Sequence, residues 1–168
     1  MAITNKTYNN LIDKLISIGE KHEQISTVTT GDIFDIDLQK NTKYALMHIN
    51  PVNVVAGTYG LTYNFQIFVM DLVEPGSSNS SPRNYNSNEQ QVYSTTLQIC
   101  IDLISIFRNS KYQSENNDDI NEPIYFTEGD YTLEPFTERF DQSVSGFVFQ
   151  IGILADNSFQ TCNIPMQA

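Results

Sequence analysis

Three aspartates crowd one short stretch, Gly31-Asp32-Ile33-Phe34-Asp35-Ile36-Asp37, and carboxylate oxygens at that density are the chemistry of a Ca2+ or Mg2+ site. The spacing departs from an Asp-x-Asp-x-Asp-Gly loop. On a strand, Asp35 and Asp37 share a face that Asp32 does not, so a solvated strand face explains the pair without a ligand. Asp118, Asp119 and Glu122 form a second acidic group, in a polar stretch where charge runs are ordinarily solvated. His22 and His48 are the side chains suited to proton transfer near neutral pH. Neither lies beside a Ser or Cys in a recognisable signature, and no Gly-x-Ser-x-Gly turn occurs. Cys100 sits in the apolar run Leu97 to Phe107 and Cys162 in the C-terminal tail, with no Cys-x-x-Cys spacing and no nearby His. Both are therefore expected to be free thiols. These residues point to no enzyme, no metal and no cofactor.

The 168 residues suffice for one domain with a real core and fall short of two ordinary ones, so a single domain over 1–168 is expected. Hydrophobic residues make up 40% and charged residues only 17%, with uncharged Asn, Gln, Ser and Thr dominating the remainder. Nine basic against twenty acidic residues leave a net charge of -11. Without a cluster of Lys or Arg to displace counterions, direct grip on a phosphate backbone is disfavoured. Aromatic residues are plentiful, but they are not interleaved with basic ones as a single-strand stacking surface requires, so they are assigned to the core. The opening lacks a basic segment followed by an apolar one, and no run stays apolar for the roughly 18 residues of a membrane span. The chain is expected to be made and kept in a cytoplasm.

The elements follow from periodicity. Tyr8, Leu11, Ile12, Leu15 and Ile16 recur at helical spacing, predicting a helix from Thr4 or Asn5 to Ile18 that stops at Gly19. The period then becomes two. Ile25 to Thr30 reads as a strand, Phe34, Ile36 and Leu38 alternate with Asp35 and Asp37, and Tyr44 to Ile49 is a further strand ended by Asn50-Pro51. Val52 to Val55 reads as a short edge strand, and Gly57 and Gly60 flank a hairpin turn. Leu61, Tyr63, Phe65, Ile67 and Val69 share one face of the clearest strand. Two polar loops, 75–88 and 109–123, bracket a helix from Gln90 to Phe107, opened by Ser87 and Gln90 in capping-box spacing and striped by Val92, Thr96, Ile99, Leu103, Ile106 and Phe107. Strands return at Ile124 to Thr127, Tyr131 to Leu133 and Val144 to Ala155, and 156–168 is a tail. Strands interrupted by two separated amphipathic helices, without β-α alternation, predict an α+β domain with a mainly antiparallel sheet.

An N-terminal helix, a hairpin-rich sheet, the strand Tyr63 to Leu72, a polar loop, a helix from Glu89-Gln90 and a closing strand resemble the tail terminator and head-tail connector proteins of tailed bacteriophages. Phe140-Asp141-Gln142 to Gly146-Phe147, Ile151 to Ile153 and Thr161-Cys162-Asn163-Ile164-Pro165 resemble neck or ring proteins from phages of Bacteroidetes hosts, including crAss-like phages. The resemblance implies a virion protein with a tail-terminator-like fold. It would form a homo-oligomeric ring of six or twelve copies between portal-side and tail-side proteins, with DNA passing through the lumen and no membrane partner. An acidic lumen repels DNA and lets it slide. Asp118, Asp119, Glu122, Asp35 and Asp37 are the candidate lumen-facing acids, and Pro75, Pro82, Arg83, Tyr85, Phe159, Ile164 and Pro165 the candidate interface residues. A free acidic protein-binding module and, behind it, a small hydrolase are the alternatives.

Overall fold

Tyr63, Phe65, Ile67 and Val69 alternate with Asn64 and Gln66, a period of two that makes this segment a strand with one dry face. The computed structural model describes residues 7–33, 42–58, 60–74, 88–109, 125–127, 129–137 and 143–156. Its elements are α1 (Thr7–Lys21), β1 (Thr27–Thr30), β2 (Leu46–Ala56), β3 (Gly60–Leu72), α2 (Glu89–Asn109), β4 (Tyr125–Thr127), β5 (Glu134–Thr137) and β6 (Val144–Asp156). The fold is α+β: a six-stranded sheet in the order β1-β2-β3-β6-β4, with β5 also on β6. Among the described strands only β1 and β2 pair in parallel. No helix among the described residues is long and apolar enough to cross a membrane.

One face of the sheet carries both helices. Leu11, Leu15 and Ile18 of α1 and Ile99, Cys100 and Leu103 of α2 meet Met47, Ile49, Phe65, Ile67, Phe149 and Ile151 in one buried cluster. The opposite face is dry only at one end, where Leu46, Phe68, Met70, Phe136, Val144 and Val148 form a smaller cluster. Farther along it, Asn50 Nδ2 donates to Gln66 Oε1 at 3.4 Å and Asn64 Nδ2 to Asn53 Oδ1 at 2.7 Å. Gln150 pairs with Gln66 in the next strand, extending this row of amides.

The boundaries correct the expectations in four places. Gly19 does not end α1, which continues to Lys21. Its missing side chain lets the helix lie close, since a Cβ there would come within 2.7 Å of Met47 Sδ and 2.8 Å of Val28 Cγ2. Asn50-Pro51 does not end β2, which runs from Leu46 to Ala56 with a register shift between Pro51 and Asn53. Pairing with β1 stops at Ile49, so among the described residues Pro51 has a partner strand on one side only and its missing N–H breaks no described ladder. The helix N-cap falls at Asn88, whose carbonyl accepts from Val92 N–H at 3.0 Å; Ser87 lies outside the described residues. The Asn88 side chain faces backward, accepting from Glu74 N–H at 2.8 Å and donating to Leu72 O at 3.4 Å, and so fixes α2 to the end of β3.

The fourth correction concerns Tyr131 to Leu133, which form no strand. β4 and β5 are one interrupted strand along β6: Thr127 pairs with Ile153 and Glu134 with Val148. The segment between them is longer than the span of β6 it must cover and leaves the ladder. Tyr131 and Leu133 pack on the core instead. Gly129, at φ 106, makes the required left-handed turn. Arg108 of α2 holds the segment, donating to Gly129 O at 3.0 Å and lying 5.0 Å from the Tyr131 ring centroid.

Gly146 sits where β6 presses on β3. A Cβ there would overlap the Val69 carbonyl oxygen and stand 2.9 Å from Met70 Cα. Phe136 lies across from it in β5. Backbone cannot swing aside as a side chain can, so Gly146→Ala is expected to destabilise by about 3 kcal/mol, lowering Tm by roughly 10 °C. Gly19→Ala should cost much less, because the Met47 thioether can move and alanine favours the helix by about 1 kcal/mol. Thermal melts of both variants followed by circular dichroism check the order.

Candidate assembly surface

The polar segments that supplied most of the expected site lie outside the described residues. Asp118, Asp119, Glu122, Asp35 and Asp37 are among them, as are Pro75, Pro82, Arg83, Tyr85, Phe159, Ile164, Pro165 and Cys162. Of the aspartate-rich stretch, Asp32 is described and exposed. Among the described residues no group of three or more His, Cys, Asp and Glu is placed to hold a metal ion.

The two histidines do different work. His22 stands where α1 ends, at a groove of about 350 Å³ lined by Ile18, Lys21, Glu23, Gln24, Gln98, Asp102 and Ile106. Its Nε2 is 3.6 Å from Asp102 Oδ2, and Gln98 Nε2 donates to the other carboxylate oxygen at 2.9 Å. Nδ1, the nitrogen a general base would present to substrate, already accepts the Gln24 N–H at 3.3 Å. With both nitrogens engaged, His22 links the end of α1 to the middle of α2. Asp102 is 42% exposed, so the link is worth at most about 1 kcal/mol.

His48 is buried on the other face of the sheet, its ring 6.3 Å from that of Phe68. Nε2 lies 3.1 Å from Gly31 O and Nδ1 2.8 Å from Thr29 Oγ1. A carbonyl can only accept, so Nε2 carries the proton and Nδ1 accepts from the hydroxyl, a neutral ring with both nitrogens satisfied. Burial pushes its pKa below the ordinary value, against the opposing pulls of the Gly31 carbonyl and the Asp32 carboxylate. Cys100 is a free thiol in the core, raised by burial to about 12, and stays protonated.

The exposed feature with most potential for contact is the far half of β2. Val52, Val54 and Val55 are 49%, 47% and 52% exposed, and beyond Ile49 the strand has no described neighbour except β3. Asn50 to Thr58 contains no charged residue. The Gly57 N–H donates to Gly60 O at 2.9 Å and closes the hairpin at the expected turn. The sequence signalled this surface as an uncharged run rich in β-branched residues. Reading Pro51 as a terminator hid its continuity with the core strand, and hence its rigidity. No protein-family model matches the chain, and no curated protein matches it.

His48 gives this chain a pH signature of known sign. Its folded pKa is lowered, so the unfolded state binds the proton first, and stability is fully present above the unfolded value of about 6.5 and lost as pH falls below it toward the folded value. Between pH 7.5 and 5.5 the urea midpoint of the wild type should fall relative to that of a His48→Gln variant, since the opposite contribution of the raised Asp71 carboxyl is common to both.

Proposed function

We propose that the chain is a structural subunit of a ring in the neck or tail of a tailed phage, a head-tail connector or tail terminator, assembled in the bacterial cytoplasm and carried in the virion. The observation that supports this best is the far half of β2, which among the described residues pairs with β3 alone. Native edges are ordinarily blunted by charge, short length or cover, because a row of free N–H and C=O groups templates pairing. This edge carries three exposed valines and no charge in a chain of net charge -11. An uncharged edge on a strongly acidic subunit is where like-charged copies can approach with least repulsion. A heterologous contact of this kind closes into a ring when its rotation permits.

In this ring the acidic excess serves passage of DNA. Asp118, Asp119, Glu122, Asp35 and Asp37 are assigned to the lumen, and Pro75, Pro82, Arg83, Tyr85, Phe159, Ile164 and Pro165 to contacts with adjacent subunits and with the portal-side and tail-side rings. The chain acts by shape and charge, without catalysis.

Light scattering and negative-stain electron microscopy of the purified chain should show a discrete ring of six or twelve copies; a monomer at every concentration would refute the proposal. Changing Asp118, Asp119 and Glu122 together to Lys should make assembled rings retain duplex DNA. Each added phosphate contact would steepen the salt dependence by a slope of about 0.9 on logarithmic axes. Unchanged DNA retention in the charge-reversed ring would refute the lumen assignment alone.

A further inference from the structure

The pairing registers place two strand edges that have no neighbour among the described residues, the far half of β2 and the side of β4 away from β6, at the same level of the sheet. Val55 pairs with Thr62, Thr62 with Leu154, and Leu154 with Phe126; the next row runs Val54, Tyr63, Ile153, Thr127. A third row links Ala56 through Leu61 and Ala155 to Tyr125. Three consecutive rows thus begin at one edge and end at the other. Because β2 and β6 run one way while β3 and β4 run the other, a second copy displaced sideways without being turned over would set its β2 antiparallel to β4. This is the stronger of the two pairing modes and the one most of the sheet already uses. Tyr125-Phe126-Thr127, like Asn50 to Thr58, carries no charge.

We infer that the occupant of the β2 edge is β4 of a second copy of this chain, paired head to tail with the Val54 row opposite the Thr127 row, so that the sheet continues from subunit to subunit. The inference rests on the ring assembly proposed above and specifies its contact. Backbone hydrogen bonds supply the geometry, and burial of Val52, Val54 and Val55 supplies the apolar contribution. A two-fold pairing of β2 with another β2 would instead end at a dimer and leave both β4 edges unused.

Two sets of variants test it in the full-length chain. Val55→Lys should shift the light-scattering mass from the ring to a single chain, while Val55→Thr should leave the ring assembled. Circular dichroism melts should show both folded, because the side chain is 52% exposed. A ring that survives Val55→Lys overturns the inference and leaves the ring proposal standing; a wild type that never assembles overturns both. In a Cys162→Ser background, oxidation of a Val54→Cys, Thr127→Cys double variant should give a ladder of covalent oligomers on a denaturing gel, and either single variant none. A dimer from Val54→Cys alone would establish two-fold pairing and overturn the head-to-tail contact, as would absence of the ladder.

Discussion

The ladder between β3 and β6 is the constraint on which everything else is built. It pairs Gly60 with Asp156 and continues without a break to Leu72 with Val144, so both strands are locked in register along their whole length. A slip of β6 by one residue would carry Phe149 and Ile151 to the wet face, away from Phe65 and Ile67. The helices lie where that register puts the apolar rows. β2 on one side and the broken β4–β5 strand on the other inherit their heights from it. Gly146 is the local condition for the close approach, since a side chain at that point would meet backbone with no room to yield.

Much of this was legible in the chain itself. Alternation identified β3 and β6 and the face each buries, helical spacing found α1 and α2, and the separation of the helices gave the α+β class. The misreadings share a physical origin: each treated a residue's local preference as decisive where a tertiary contact decided. Gly19 resembles a helix stop, yet its lack of a Cβ serves packing against Met47 and Val28. Pro51 resembles a strand stop, yet it lies beyond the last β1 pair. Tyr131 to Leu133 has strand composition, but the ladder it would join has already been filled on either side.

The site was less legible than the fold. Sequence reasoning sought contact residues in the polar segments, because polarity and length distinguish binding loops from connectors. Val52 to Val55 was legible as an edge strand, and the valines are exposed beyond the last β1 pair at Ile49; what the sequence hid is that they continue the core strand β2. Periodicity reports which residues share a face and says nothing of whether a neighbour covers the edge. His48 was likewise invisible as a buried hydrogen-bonding group, because Thr29 and Gly31 reach it only after β1 aligns with β2.

The row of amides on the open face has a consequence of its own. Asn50, Asn53, Asn64, Gln66 and Gln150 are polar enough to keep that face wetted, and none of them titrates or carries charge. Hydration held by such groups is indifferent to acidity and to ionic strength within the ordinary range. The amide row therefore keeps the same surface chemistry while the His48 end responds, so one continuous β-structure sets a pH-responsive group beside a row of unresponsive ones.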